Sequence, residues 1–344
     1  MNRADRPWRW GAGAGAIAAV MATAMAMVMA CGGGGGARRP AAPTSTAVTA
    51  IAETRGLARE IQLSLERGDA TGLAPLCASD LVALGPRATD DGRPRTDTLI
   101  ALDDALPKAK HKLKVRDQQV ESAPGARSAW LTEQVDVDGK RHTVTAIATE
   151  VDGLWLVTAV MVGATQPERA LRDQEPATLP KLVARNGVPG PTAGNQAAPA
   201  APRAAFALAA GDVEARLAQL DGERTVVMTA AEKAQWRGEQ AIRKAWKKGG
   251  PRWTLAADMQ SGATPDGELV WVAANAATIE AEGEGHPRRL FAVYRRAGDD
   301  PPPVPAPPPK PKPRRAAVEP PPPPPPSGPP PPWRLVVLHE IVAR

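Results

Sequence analysis

The 344 residues predict an α+β chain in which one helix-then-sheet module occurs twice. Three observations carry that prediction. A Gly-Asp pair closes a helical stretch at Gly68-Asp69 and again at Gly211-Asp212, an offset of 143, and a strand tryptophan recurs at Trp130 and Trp271, an offset of 141. Asp-Gly pairs at Asp138-Gly139 and Asp152-Gly153 separate alternating apolar runs, a strong signal for antiparallel hairpins. Twenty of the 38 prolines lie within residues 301–332, so the rest of the chain has ordinary composition and can build hydrophobic cores. With two cysteines, a disulfide-stapled scaffold and a four-cysteine zinc module are both excluded.

The first element, residues 1–30, is a leader. Arg3, Arg6 and Arg9 precede an uncharged run over residues 11–30 that ends Val28-Met29-Ala30-Cys31. A basic start, an apolar stretch and a small residue before the cut describe an export signal. The order Val-Met-Ala-Cys resembles the lipobox of bacterial lipoproteins. That resemblance implies cleavage before Cys31, a lipid on its sulfur, and a place in the bacterial cell envelope. The globular part is then periplasmic or surface-exposed, and Gly32, standing where Asp would retain the protein at the inner membrane, favours the outer membrane. The competing reading is a membrane-spanning helix, since twenty residues reach ~30 Å, but a run of Ala, Gly and Met inserts only marginally. Residues 31–47 begin with five glycines after Cys31 and read as a flexible tether. Cys77, between Leu76 and Ala78, reads as a small buried residue.

Residues 48–166 form the first module. A helix runs to Gly68, a short helix covers residues 73–77, and Leu81-Val82-Ala83-Leu84 is a strand. A helix over residues 97–106 follows. The alternation of basic and apolar residues over 110–116 predicts a strand with one solvated face. Three strands then follow, joined by the Asp-Gly turns. Residues 167–202, rich in Pro, Ala and Gly, read as a linker. The second module, residues 203–344, repeats the order with a strand over 225–228, a helix over 239–247, and strands from Trp271 and Arg289. Residues 301–332 then interrupt one hairpin before a last strand from Trp333. Proline at 20 of these 32 positions excludes helix and sheet and favours polyproline II. This arm is either a spacer for a protein or cell-wall partner or an inert expansion.

The Gly-Asp after the first helix, Gly92 and Trp236-Arg237-Gly238 before the third, the strand tryptophan and the closing Trp333-Arg-Leu-Val-Val-Leu-His339 occur in the same order twice. In this order they resemble the NTF2-like superfamily, especially its SnoaL-like and ketosteroid-isomerase-like members. The resemblance implies two cone-shaped domains, each a curved antiparallel sheet packed by about three helices, with a pocket between sheet and helices. In ketosteroid isomerases an Asp at the end of the strand after the second helix takes the proton. Here Gly85 and Thr229 occupy that place, so neither copy carries the base. The leading expectation is therefore a noncatalytic, membrane-anchored protein that binds a small apolar ligand or a protein partner. Two alternatives stand beside it. One is an isomerase, cyclase or hydrolase working from the second pocket around His339; the other is an envelope scaffold that uses the proline-rich arm.

The candidate pocket residues are Trp236, Tyr294 and His339, with Cys31 as the lipidation site. Adjacent strand residues face opposite ways, so only one of His339 and Glu340 can point into the cone. Trp130, Trp155, Trp271 and Trp333 recur at equivalent places and read as core anchors. Trp236, Trp246 and Trp253 have no first-copy counterpart and either form an aromatic rim or fill space. His142 and His286 sit at hairpin turns and His111 in the basic strand; all three read as solvated. No spacing suggests a metal or cofactor site. The formal net charge of +6 does not come from the modules: residues 48–166 hold 14 basic against 17 acidic residues, and residues 203–300 hold 14 of each. Nucleic acid is therefore not an expected partner.

Overall fold

The computed structural model describes residues 45–67, 69, 71–86, 112–174, 193–279, 285–297 and 333–343. The leader, residues 31–44 of the expected tether with Cys31, Gly92, His111, the helix expected over 97–106 and the proline-rich arm lie outside the described residues, whereas residues 45–47, expected in the tether, are helical. Helix α1 (Ser45–Glu66) buries Ala50, Thr54, Leu57, Ala58, Ile61 and Gln62, a stripe at helical spacing. A 3-10 turn (Thr71–Leu76) leads into β1 (Cys77–Leu84). Strands β2 (Leu113–Ser122), β3 (Ser128–Val137), β4 (Lys140–Val151) and β5 (Leu154–Ala164) complete the first unit.

A short helix α2 (Glu168–Arg172) precedes the second unit, which opens with α3 (Ala200–Gly211) and α4 (Val213–Leu217). Then come β6 (Val226–Met228), β7 (Gln235–Arg237), α5 (Glu239–Trp246) and the long strands β8 (Trp253–Ala263), β9 (Leu269–Thr278), β10 (Pro287–Arg296) and β11 (Trp333–Val342). The Asp of each Gly-Asp pair caps the turn or helix immediately after it. Asp69 Oδ1 accepts from the Gly72 N–H at 3.0 Å, and Asp212 Oδ1 accepts from Glu214 N–H at 2.8 Å and Ala215 N–H at 3.2 Å.

The sheet orders are β1-β5-β4-β3-β2 and β7-β6-β11-β10-β9-β8. Without the short β7 the two orders are the same: a first strand parallel to the last, then a four-strand antiparallel meander. This is the α+β architecture the sequence predicts. The Asp-Gly turns have φ of 48° and 82° at Asp138-Gly139 and 51° and 79° at Asp152-Gly153. Left-handed backbone at both central residues matches the twist of hairpin strands. Bulges within the β2–β3, β4–β5, β8–β9 and β10–β11 pairings bend both sheets.

Three apolar layers result. One lies between α1 and the inner face of the first sheet, and a second between helices α3 to α5 and the inner face of the second sheet. The third lies between the outer faces of the two sheets, where Trp130, Ile147 and Met161 meet Trp271, Phe291, Val337 and Ile341. The approach is close. A methyl group built on Gly163 of β5 would collide with the Ile341 side chain of β11, so glycine is required there by space rather than by φ. Trp130 and Trp271 anchor this third layer, whereas Trp155 and Trp333 are half-buried at the margins of the first and second cores.

Candidate functional site

Alternation along β11 decides which residues reach the second interior. Leu335 and Leu338 belong to the inner core, while Val337 and Ile341 belong to the layer between the sheets. His339 shares the face of Val337 and Ile341, so it does not enter the cone; Glu340 does. The imidazole is buried between the sheets, with Nε2 2.8 Å from Thr143 Oγ1 and Nδ1 3.0 Å from Thr145 Oγ1 of β4. Thr143 Oγ1 also donates to the Gly163 carbonyl at 3.4 Å. The Nε2–H tautomer satisfies the whole chain: Thr145 donates to Nδ1, Nε2–H donates to Thr143, and Thr143 donates to Gly163. Burial without a nearby carboxylate pushes the His339 pKa down to about 3, so the ring is neutral. It joins two sheets and contacts neither interior.

Among the described residues, the polar groups inside the second unit include Arg216, Gln219, Arg288, Tyr294 and Glu340. Tyr294 is buried and its O–H donates to Gln219 Oε1 at 3.1 Å. Burial raises its pKa, so it stays a neutral phenol. Glu340 Oε1 accepts from Arg288 Nε at 2.9 Å, and burial raises the Glu340 pKa against the pull of Arg288. Trp236 is half-buried on β7, with its ring edge-on to Trp246 at 6.2 Å. The structure thus places Tyr294 in the second interior and Trp236 at its edge, and it places His339 elsewhere.

The first unit holds a group that sequence reading missed. Leu131 and Val135 line its inner core, so Glu133 between them on β3 faces inward as well. Glu133 is fully buried; Oε1 accepts from Gln118 Nε2 at 3.2 Å, and Oε2 has no partner. Burial holds this carboxyl well above the usual range, which favours its protonated form. Its cross-strand partner Val144, with Leu131, borders an apolar gap between α1 and the sheet. The gap has a volume of about 20 Å³, room for one water-sized group. Its other walls come from Leu57, Ala58 and Ile61 of α1 and from Ala146, Ala148, Val157 and Val160. Thr54 Oγ1 lines it too and has no hydrogen-bond partner. The alternation Leu131-Thr132-Glu133-Gln134-Val135 was the available signal for Glu133, because it puts an acid in line with two core residues.

The positions of the absent base are structural. The Gly85 carbonyl accepts from Arg289 Nη1 across the two sheets, and Thr229 Oγ1 is bonded to the Ala234 carbonyl at 3.1 Å. His142, expected to be solvated, is only 4% exposed; it lies just after the Asp-Gly turn but sits on β4, and its Nδ1–H donates to the Lys140 carbonyl at 3.0 Å. His286 is half-buried. Among the described residues no three His, Cys, Asp or Glu side chains are grouped to hold a metal, and no helix is long and apolar enough to cross a membrane.

No family model and no curated protein matches the chain in sequence. Solved structures do match in shape. An NTF2-like protein of unknown function from Shewanella baltica is 17% identical, covering 35% of this chain and 94% of its own, with a TM-score of 0.28. One from Pseudomonas putida is 13% identical over 36% of this chain and 92% of its own, with a TM-score of 0.31. An uncharacterised protein with a cystatin-like fold from Caulobacter vibrioides is 15% identical over 36% and 96%, with a TM-score of 0.32.

Proposed function

We propose that the chain is an exported, lipid-anchored protein with two NTF2-like domains, and that it binds a small apolar ligand without transforming it. The apolar gap under α1 carries this reading. Ten side chains enclose it, and nine of them are apolar. Of the two occupants open to a noncatalytic protein, a small ligand and a protein partner, a gap of this lining favours the ligand. Its closed volume is small, so entry requires α1 to lift from the sheet. The packing of α1 on the sheet is mainly apolar, and single elements of a fold can open locally as cooperative units. An enzyme working through His339 has no support from a ring locked between two threonines.

Binding is tested with N-phenyl-1-naphthylamine, an uncharged apolar dye whose fluorescence rises in apolar surroundings. Wild-type protein should give a saturable rise, and Ala146→Leu, which fills the gap, should weaken it at least tenfold. A wild-type protein with no saturable rise would end the proposal. The anchor is tested separately by metabolic labelling with an alkyne fatty acid. Label should enter wild type and be absent from Cys31→Ser; equal labelling would remove the lipid from this picture, and with it the envelope location and the preference for the outer membrane.

A further inference from the structure

The tryptophans without a first-copy counterpart take no part in the binding reading above. Two of them enclose Arg216. Its guanidinium carbon lies 4.6 Å from the Trp246 ring centroid and 4.5 Å from that of Trp253. The side chain is 1% exposed, so this stack is interior. Only Nη2 is hydrogen-bonded, to the Pro251 carbonyl. Arg216 Nε and Nη1 have no partner, and neither do the indole Nε1 atoms of Trp246 and Trp253; all four are buried.

Buried donors in native proteins are nearly always paired, so four orphans on one stack need a cause. All four only donate. Gln219 Oε1 already accepts from Tyr294, and Glu340 Oε1 from Arg288. Charge points the same way, because among the described residues two interior cations, Arg216 and Arg288, face one interior carboxylate, Glu340, while the exposed Asp212 acts on Arg216 from the surface. Burial brings the Arg216 pKa down only to about 10, so the guanidinium is charged at neutral pH.

We propose that the second domain binds a small oxyanion, a carboxylate or phosphate group, on Arg216 between the indoles of Trp246 and Trp253. Such a group is acceptor-only and negative, which is what four unpaired donors and one excess cation lack. Water would bring donors of its own and no charge. A guanidinium clamped between two rings also keeps its edge in one plane, the geometry that suits two oxygens of one anion. Access is at hand. Pro251, whose carbonyl holds Arg216, also lines a surface groove of about 890 Å³, whose charged walls are Lys248 and Arg252 on one hand and Asp212 and Glu214 on the other. Moving that carbonyl aside would open the guanidinium to the groove.

The test uses the full chain in detergent. Equilibrium dialysis with radiolabelled phosphate and, separately, acetate should show one saturable site for at least one of them. At a tenfold excess over Kd, linkage multiplies the folding constant about eleven-fold, which raises the melting temperature by about 3–6 °C over chloride at equal ionic strength. Arg216→Gln should abolish both effects. Trp253→Phe keeps the stack but removes one donor, and should weaken binding several-fold. Preference for phosphate or for acetate decides which group the site takes. No saturable uptake of either anion by wild type would overturn the proposal whatever the variants do, as would Arg216→Gln binding like wild type.

Discussion

Replacing His339 by leucine should change how stability depends on pH, and the ring's surroundings set the size of the change. In the folded protein its pKa is about 3, whereas in the unfolded chain it is close to the ordinary ~6.5. The unfolded state therefore binds the extra proton between these values, and stability falls as pH falls through that window. Between pH 7.5 and 4.5 this one ring removes about 2.7 kcal/mol, from a shift of 1.36 kcal/mol per pH unit below the unfolded pKa. Leucine carries no such dependence. It also leaves Thr145 Oγ1 without the ring nitrogen it bonds, a cost of roughly 1–3 kcal/mol at any pH. The variant should thus be the less stable protein at pH 7.5, and its deficit should shrink or reverse by pH 4.5. Urea unfolding followed by tryptophan fluorescence, on Cys31→Ser protein with and without His339→Leu, measures both slopes. Other titrating groups are common to the two proteins and cancel in the difference. Parallel stability–pH curves would refute the placement of a neutral, buried His339 between the sheets.

Other consequences are as direct. Gly163→Ala should cost roughly 1–3 kcal/mol by overpacking against Ile341, and adding Ile341→Ala should recover much of the loss in the same melts. Asp212→Ala removes the oxygen that caps α4 and should lower stability by roughly 0.5–2 kcal/mol; an unchanged midpoint would mean the cap bonds are not formed in solution. Glu133 has a raised pKa, so the folded state holds its proton after the unfolded chain has lost it, and stability falls as pH rises above the unfolded value. Glu133→Gln should therefore stabilise the protein more at pH 8 than at pH 4.5, and a gain independent of pH would argue against a buried acid.

The elements with strong local signals were legible in the sequence. Asp138-Gly139 and Asp152-Gly153 fix two hairpins through backbone that glycine permits and aspartate tolerates, and such chemistry acts within a few residues. The repeat of Gly-Asp and strand tryptophan carried the expectation of one module in two copies, and the two sheets share one strand order apart from β7. The burial of His339 between sheets was not legible. Alternation shows that His339 and Glu340 face opposite ways but cannot say which face is the interior, and the outer face of a sheet is expected to be solvated unless another sheet covers it. Nothing in a sequence marks that cover. The same gap explains His142, whose neighbouring Asp-Gly turn suggests exposure. Arg216 gave no signal at all: in Val213-Glu-Ala-Arg-Leu217 it reads as a surface residue, and only the tertiary meeting with Trp246 and Trp253 buries it.

Position by position, the two interiors place their charged groups differently. The tryptophan offset of 141 pairs Glu133 with Ala274, which is buried in the second core. On the last strand, Val162 of the first core corresponds to Glu340, and Met161 of the layer between the sheets corresponds to His339. Each interior thus holds one acid, but on a different strand and beside a different partner. Glu133 accepts from the Gln118 amide, with burial favouring its protonated form, whereas Glu340 accepts from Arg288. The offset of 143 pairs Leu73, packed in the first core, with Arg216. One apolar side chain has become a cation, and Trp246 and Trp253 now wall it in. A neutral first interior lined by aliphatic side chains suits an uncharged guest, and a second interior with one cation in excess suits an anion. The two proposed sites thus differ in chemistry while the sheets share one packed layer, and in that layer Gly163 against Ile341 and His339 between two threonines leave little room for change.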